Sequence, residues 1–111
     1  MKISKEMIKG STGTLILTLL SREPLYGYEI IKQLDHSSGG IFTLKEGTLY
    51  PLLHSMESEQ WVEAFWTENG GRKRKYYRIT DSGLKQLEEK RTEWKVFRQA
   101  VDTVLGEGGG H

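Results

Sequence analysis

Arg72, Lys73, Arg74, Lys75 and Arg78 fall within seven consecutive positions that hold no acidic residue. Like charges this close repel one another, and a polyanion relieves that repulsion by giving up its condensed counterions. The run follows Asn69-Gly70-Gly71 and passes into Tyr76, Tyr77 and Ile79, the pattern of a hairpin tip entering a strand. Nucleic-acid binding is the chemistry these residues fit; the competing reading is a solvated loop that only aids solubility.

Catalysis has no comparable footing. His36, His54 and His111 are the three histidines, far apart and without ligand-like spacing to carboxylates, and there is no cysteine. Disulfides, thiolate metal sites and cysteine nucleophiles are thereby excluded. No nucleophile elbow, phosphate-cradling loop or metal cluster occurs, and the glycine-rich stretch from Gly106 to Gly110 has no following helix to complete a dinucleotide fingerprint. Neither enzyme activity nor a metal or cofactor is expected.

A chain of 111 residues with 36% hydrophobic and 28% charged residues suits one soluble globular domain with a modest core. Its net charge of +1 hides an uneven distribution: residues 1–80 carry 11 basic and 9 acidic groups, residues 81–111 carry 5 and 6. In the first part the positive charge gathers at Lys2, Lys5 and Lys9 and in the 72–78 run, so any DNA contact is local. The longest apolar run, Leu15 to Leu20 with Thr18 inside it, is too short to span a bilayer, and no secretory signal precedes it. No membrane partner is expected, and cytoplasmic residence is the default.

These residues need elements to position them. A first helix is predicted over 5–21, with Ile8, Thr12, Leu15, Ile16, Leu19 and Leu20 on one side. Gly10 and Gly13 lower its propensity by up to about 1 kcal/mol each and suit close packing against another helix. After Pro24, a second helix runs from about Tyr26 to Ser37, with Gly27, Ile30, Ile31 and Leu34 inward and Ser38-Gly39-Gly40 ending it. A third covers roughly Lys45 to Glu59. Thr43 and Glu46 fit a capping box, and Leu49, Leu52, Leu53 and Met56 form its inward stripe. Pro51 leaves two alternatives: a bend in the helix, or a regular start near Thr48 that puts the proline in the first turn.

Trp61 to Glu68 and Arg74 to Ile79 then read as antiparallel strands around the Asn69-Gly70-Gly71 turn. Thr80 caps a last helix running to about Leu105. The order helix, helix, helix, hairpin, helix is that of a winged helix-turn-helix: mainly α with a small β-hairpin. Residues 1–80 are assigned to a DNA-binding domain, 81–105 to a C-terminal dimerisation helix and 106–111 to a flexible tail.

The free face of the third helix presents Gly47, Pro51, His54 and Ser58, flanked by Thr48, Tyr50 and Ser55. Such a face fits the major groove, where hydroxyls and imidazole meet base edges and phosphates; an ordinary solvated face is the other reading, and the adjoining basic hairpin tips the balance. Apart from Lys45 at its start the helix has no strong positive charge, so bidentate guanine readout is not predicted and phosphate contacts and shape carry much of the affinity.

Three blocks together resemble the PadR family of bacterial transcriptional regulators. They are Pro24-Leu25-Tyr26-Gly27-Tyr28-Glu29-Ile30, Gly47-Thr48-Leu49-Tyr50-Pro51-Leu52-Leu53, and Gly70 to Thr80, with Gly83 and Leu87 beyond. The resemblance implies a dimeric winged helix-turn-helix repressor whose DNA affinity drops when a small molecule binds. It nominates Thr48, Tyr50, Pro51 and His54 in the groove, Arg72, Lys73, Arg74 and Lys75 on the wing, and Tyr76 in the matching block; Lys5 and Lys45 are added as nearby cations. Strand alternation places one of Tyr76 and Tyr77 in the core and the other outside. The chain departs from the pattern at Lys45-Glu46, where many members have a small polar residue followed by proline or glycine. Gln60 likewise replaces a glycine common before the first wing strand.

With one long helix at its end, the chain resembles the short PadR subfamily. There Trp94, Phe97, Val101 and Val104 follow 3-4-3 spacing, with Leu87 one heptad before Trp94 and Leu105 beside the stripe. A two-fold partner is the simplest cover for it, with the first helix as companion. In short members an aromatic residue of this helix can line an effector cavity, and Trp94 matches that position; a dimer-core anchor is the alternative. Arg91 and Arg98 would make such a cavity cationic, favouring a planar aromatic or anionic molecule. A winged helix used only for protein–protein contact remains the competing function.

Overall fold

Ser4 opens the first helix, its hydroxyl accepting the Met7 amide at 3.4 Å, and each later element starts or stops at a similarly local cause. In the computed structural model, which describes residues 2–107, the order is α1 (Lys5–Leu20), β1 (Leu25–Tyr26), α2 (Gly27–Ser37), α3 (Glu46–Ser58), β2 (Val62–Asn69), β3 (Arg72–Ile79) and α4 (Asp81–Leu105). The three strands form an antiparallel sheet in the order β1-β3-β2. From residue 108 on, the predicted tail lies outside the described residues.

The core gathers Ile16, Leu17, Leu19 and Leu20 of α1, Leu25, Ile30 and Leu34, Leu49, Leu53 and Met56 of α3, and Val62 and Tyr77 of the sheet. Burial pushes the Tyr77 phenol above its ordinary pKa, with the nearby charges of Glu57 and Tyr50 adding to the rise. Two expectations change here. Leu87 is 1% exposed and packs in this same core, so it belongs to the chain's interior and not to the stripe offered to a partner. A Cβ at Gly10 would meet open space within the chain, so that glycine serves no helix contact inside one copy.

Several boundaries also shift. Tyr26 is a strand residue paired with Tyr76, and its amide donates to Glu29 Oε1 at 3.3 Å as α2 begins. No capping box opens α3: the Thr43 hydroxyl bonds Asp35 Oδ1 at 3.0 Å and the Gly40 carbonyl at 3.1 Å. Lys45 is the N-cap, its carbonyl taking the amides of Thr48 and Leu49 at 3.0 Å each. The helix therefore starts before Thr48 and Pro51 stands inside it. The carbonyl that the proline leaves unpaired belongs to Gly47, an exposed residue, where water can satisfy it.

α3 ends in a Schellman motif: the Gln60 amide bonds the Glu57 carbonyl at 3.0 Å and the Trp61 amide bonds the Met56 carbonyl at 2.9 Å. That motif puts its C′ residue in the left-handed region, and Gln60 has φ 64. This is the position where the family resemblance leads to the expectation of a glycine. A Cβ there costs about 1–2 kcal/mol, part of which glycine returns through its freer unfolded state. Gln60→Gly is expected to stabilise the chain by about 0.5–1 kcal/mol, seen as a higher urea midpoint with unchanged slope. A lower midpoint would contradict it.

Thr80 ties the base of the sheet to α4. Its hydroxyl accepts the Gly83 amide at 3.0 Å and donates to the Gln60 carbonyl at 2.6 Å, and its amide donates to the Trp61 carbonyl at 2.9 Å. Gly83 lies so close that a Cβ would overlap the Trp61 carbonyl oxygen. β3 thus runs into α4 with only Thr80 between them.

Beyond Lys90 the helix leaves its own chain behind. All residues from Arg91 to Leu105 are exposed except Asp102, which is half-buried. Trp94, Phe97, Val101, Val104 and Leu105 lie on this stretch with 49%, 58%, 38%, 87% and 64% of their surface open.

Candidate nucleic-acid interface

The wing is a hairpin with a two-residue connection, because Asn69 pairs with Arg72. Gly70 and Gly71 have φ +61 and +81, the sign a type I′ turn demands at both central positions. The predicted turn is thereby sharpened: Asn69 is the last residue of β2 and Arg72 the first of β3. The tip carries no side chain, and the charges stand on its two flanks.

Strand alternation sorts those charges. Arg72, Arg74, Tyr76 and Arg78 share one face with Asn69, Thr67, Phe65 and Glu63, while Lys73, Lys75 and Tyr77 share the other with Glu68, Trp66 and Ala64. On the first face, Tyr76 lies 5.4 Å from the Tyr26 ring and 5.8 Å from that of Phe65. The Arg74 guanidinium caps Tyr26 at 4.6 Å, and that of Arg78 caps Phe65 at 4.4 Å. Arg78 also donates to Glu63 Oε1 at 2.6 Å. Of the basic run, then, Arg78 is neutralised within the wing and Arg74 is laid over an aromatic ring. Among the described residues Arg72, Lys73, Arg74 and Lys75 form no ion pair, which leaves their charge available to a ligand.

Between the wing and the helices lies an open groove of about 460 Å³, lined by Tyr26, Gly27, Tyr28, Tyr50, Trp66, Arg72, Arg74 and Lys75. Tyr50 reaches it from α3, and Gly27 lets it do so, since a Cβ there would overlap the Tyr50 hydroxyl. α2 begins at this groove, so the positive end of its dipole adds to the cations. Of the predicted residues, Tyr50, Arg72, Arg74 and Lys75 meet here. Lys73 lines a second groove with Trp66, Thr67 and Glu68. Thr48, Pro51 and His54 are exposed on α3, and Lys5 and Lys45 are exposed at the starts of α1 and α3; none of the five lines either groove.

Sequence reasoning overlooked Tyr26, Tyr28 and Trp66 as surface of the site. Two tyrosines flanking a glycine was the available signal for the first pair. At the other end of the molecule, the Trp94 and Phe97 rings stand 5.8 Å apart, and Arg91 Nη1 donates to Glu88 at 3.3 Å.

A pair of helices, α2 and α3, followed by a wing carrying uncommitted cations beside the second helix defines a winged helix-turn-helix. The model of the PadR-like transcriptional regulator family matches residues 16–89. The chain belongs to that family, whose members are transcriptional regulators and not enzymes. An uncharacterised protein of Lysinibacillus sphaericus is 34% identical over 104 residues, 93% of this chain and 95% of that protein. The negative transcriptional regulator PadR of Bacillus subtilis is 30% identical over 83% of this chain, which spans 50% of that protein's length. A PadR-like transcriptional regulator of Bacillus cereus has a crystal structure that superposes with a TM-score of 0.81 at 39% identity, over 91% of this chain and 97% of that one. No described helix is long and apolar enough to cross a membrane.

Proposed function

We propose that the chain works as a homodimer joined through α4, binds duplex DNA with α3 and the wing of each copy, and represses transcription until a small planar molecule binds. The observation that carries this reading is the groove between α3 and the wing, where Tyr50 faces Arg72, Arg74 and Lys75. Aromatic walls beside unpaired cations suit a sugar-phosphate strand passing between a helix in the major groove and a neighbouring wing. Thr48, Pro51 and His54 continue the exposed face of α3 and are assigned to the groove contact, with Lys5 and Lys45 as outlying phosphate partners. The exposed Trp94, Phe97, Val101, Val104 and Leu105 support pairing of two α4 helices, because an apolar stripe of this kind calls for cover. The repressor sense follows the Bacillus subtilis relative.

The test is duplex binding as a function of salt. Affinity should fall steeply as salt rises, and an absence of duplex binding near physiological salt would favour a protein-contact module instead. For the effector, Trp94 with Arg98, and with Arg91 if a ligand displaces Glu88 from it, forms the proposed aromatic and cationic wall. Planar aromatic carboxylates should quench tryptophan emission in the wild type and much less in Trp94→Ala. Equal quenching in both would remove Trp94 from the site.

A further inference from the structure

On the face of β2 that faces the core, Val62 is buried, Ala64 is half-buried, and the next residue in the row, Trp66, is 66% exposed. The row has left the protein but has not turned polar. Opposite Trp66 stands Lys75, whose ammonium leans back to 5.6 Å from the Tyr77 ring centroid and so leaves the indole uncovered. Trp66 also lines both grooves flanking the wing, sharing one with Arg72, Arg74 and Lys75 and the other with Lys73 and Glu68. An indole held on a stiff strand beside four cations and one carboxylate, that of Glu68, presents an apolar plate with a net positive border.

A nucleic-acid strand offers the complement of that arrangement, since apolar deoxyribose alternates with phosphate along it. We propose that Trp66 is a DNA-contacting residue of the wing, packing its indole against the deoxyribose of the strand whose phosphates Arg72 and Lys73 meet. The inference rests on the duplex-binding reading given above. It adds a contact that gains free energy by burying apolar surface and releases no counterion.

That difference supplies the test. Binding of a mixed-sequence duplex a few helical turns long is titrated at several salt concentrations with the wild type, Trp66→Ala and Trp66→Phe. Trp66→Ala should weaken binding about tenfold at every salt concentration, as removal of roughly one buried aromatic side chain implies, while the slope against salt stays unchanged. Trp66→Phe should recover part of the loss. In a Trp61→Phe, Trp94→Phe variant, the remaining indole should change its emission when duplex is added. If the wild type binds and Trp66→Ala binds equally well, or changes only self-association, this inference fails and the regulator reading stands. If the wild type shows no duplex affinity even at low salt, the regulator reading fails and this inference goes with it.

Discussion

A chain carrying Phe97→Asp and Val101→Asp is expected to behave as a monomer and to bind duplex DNA at least about a hundredfold more weakly, because the second half-site then no longer gains from tethering. Both side chains are exposed in one copy and lie outside the buried core, so within the chain the substitutions remove the Trp94–Phe97 ring contact and leave the core intact. A carboxylate at each would instead have to be buried between helices, which costs several kcal/mol per unpaired charge. The wild-type thermal transition should shift with protein concentration, and that of the variant should not. Sedimentation equilibrium together with duplex titration reads both effects. A wild-type chain that is monomeric at micromolar concentration, or a variant that stays dimeric, would overturn the assignment of α4.

Neutralising the wing should have the other large effect. Arg72→Ala, Lys73→Ala and Lys75→Ala together should flatten the dependence of log affinity on log salt by about 0.9 for each phosphate that is no longer neutralised, counted over both wings. Near physiological salt the affinity should fall by about a hundredfold or more. Arg78→Ala is the internal control. Arg78 is held by Glu63 and is not assigned a phosphate, so its removal uncovers the Glu63 carboxylate and lowers affinity but should leave the slope as in the wild type. An unchanged slope in the triple variant, or an equal change in Arg78→Ala, would sink the division of the basic run into free and committed cations.

Much of this was legible because the features are local. Asn69-Gly70-Gly71 before a basic run announces a tight turn, and Thr80 ahead of a 3-4-3 stripe announces a capped helix. β1 was hidden because two residues, Leu25 and Tyr26, are too few to show any period, and their strand exists only through pairing with Tyr76 and Tyr77. Leu87 shares the spacing of the Trp94 stripe, and spacing alone cannot tell that α4 spends its first turns inside the core before leaving it. Thr43 sits three residues before Glu46 as a capping box requires, yet its hydroxyl finds Asp35, a partner eight residues away. In the candidate site, the split between Arg78 and the unpaired cations depends on cross-strand register, which fixes that Glu63 stands opposite. The glycine missing at Gln60 was visible in the sequence; its meaning needed the dihedral angle.

The junction at Thr80 has a mechanical corollary. With no loop to absorb motion, the sheet and the core that holds Tyr77 must turn with the start of α4 as one body, and the tip of the eight-residue strand β3 stands roughly 26 Å from that junction. Tilting α4 by about 10° would sweep the glycine fingertip through roughly 4–5 Å, close to the full width of a minor groove of about 6 Å. In the proposed dimer, small adjustments between the two α4 helices would therefore be geared up into large displacements at the far end.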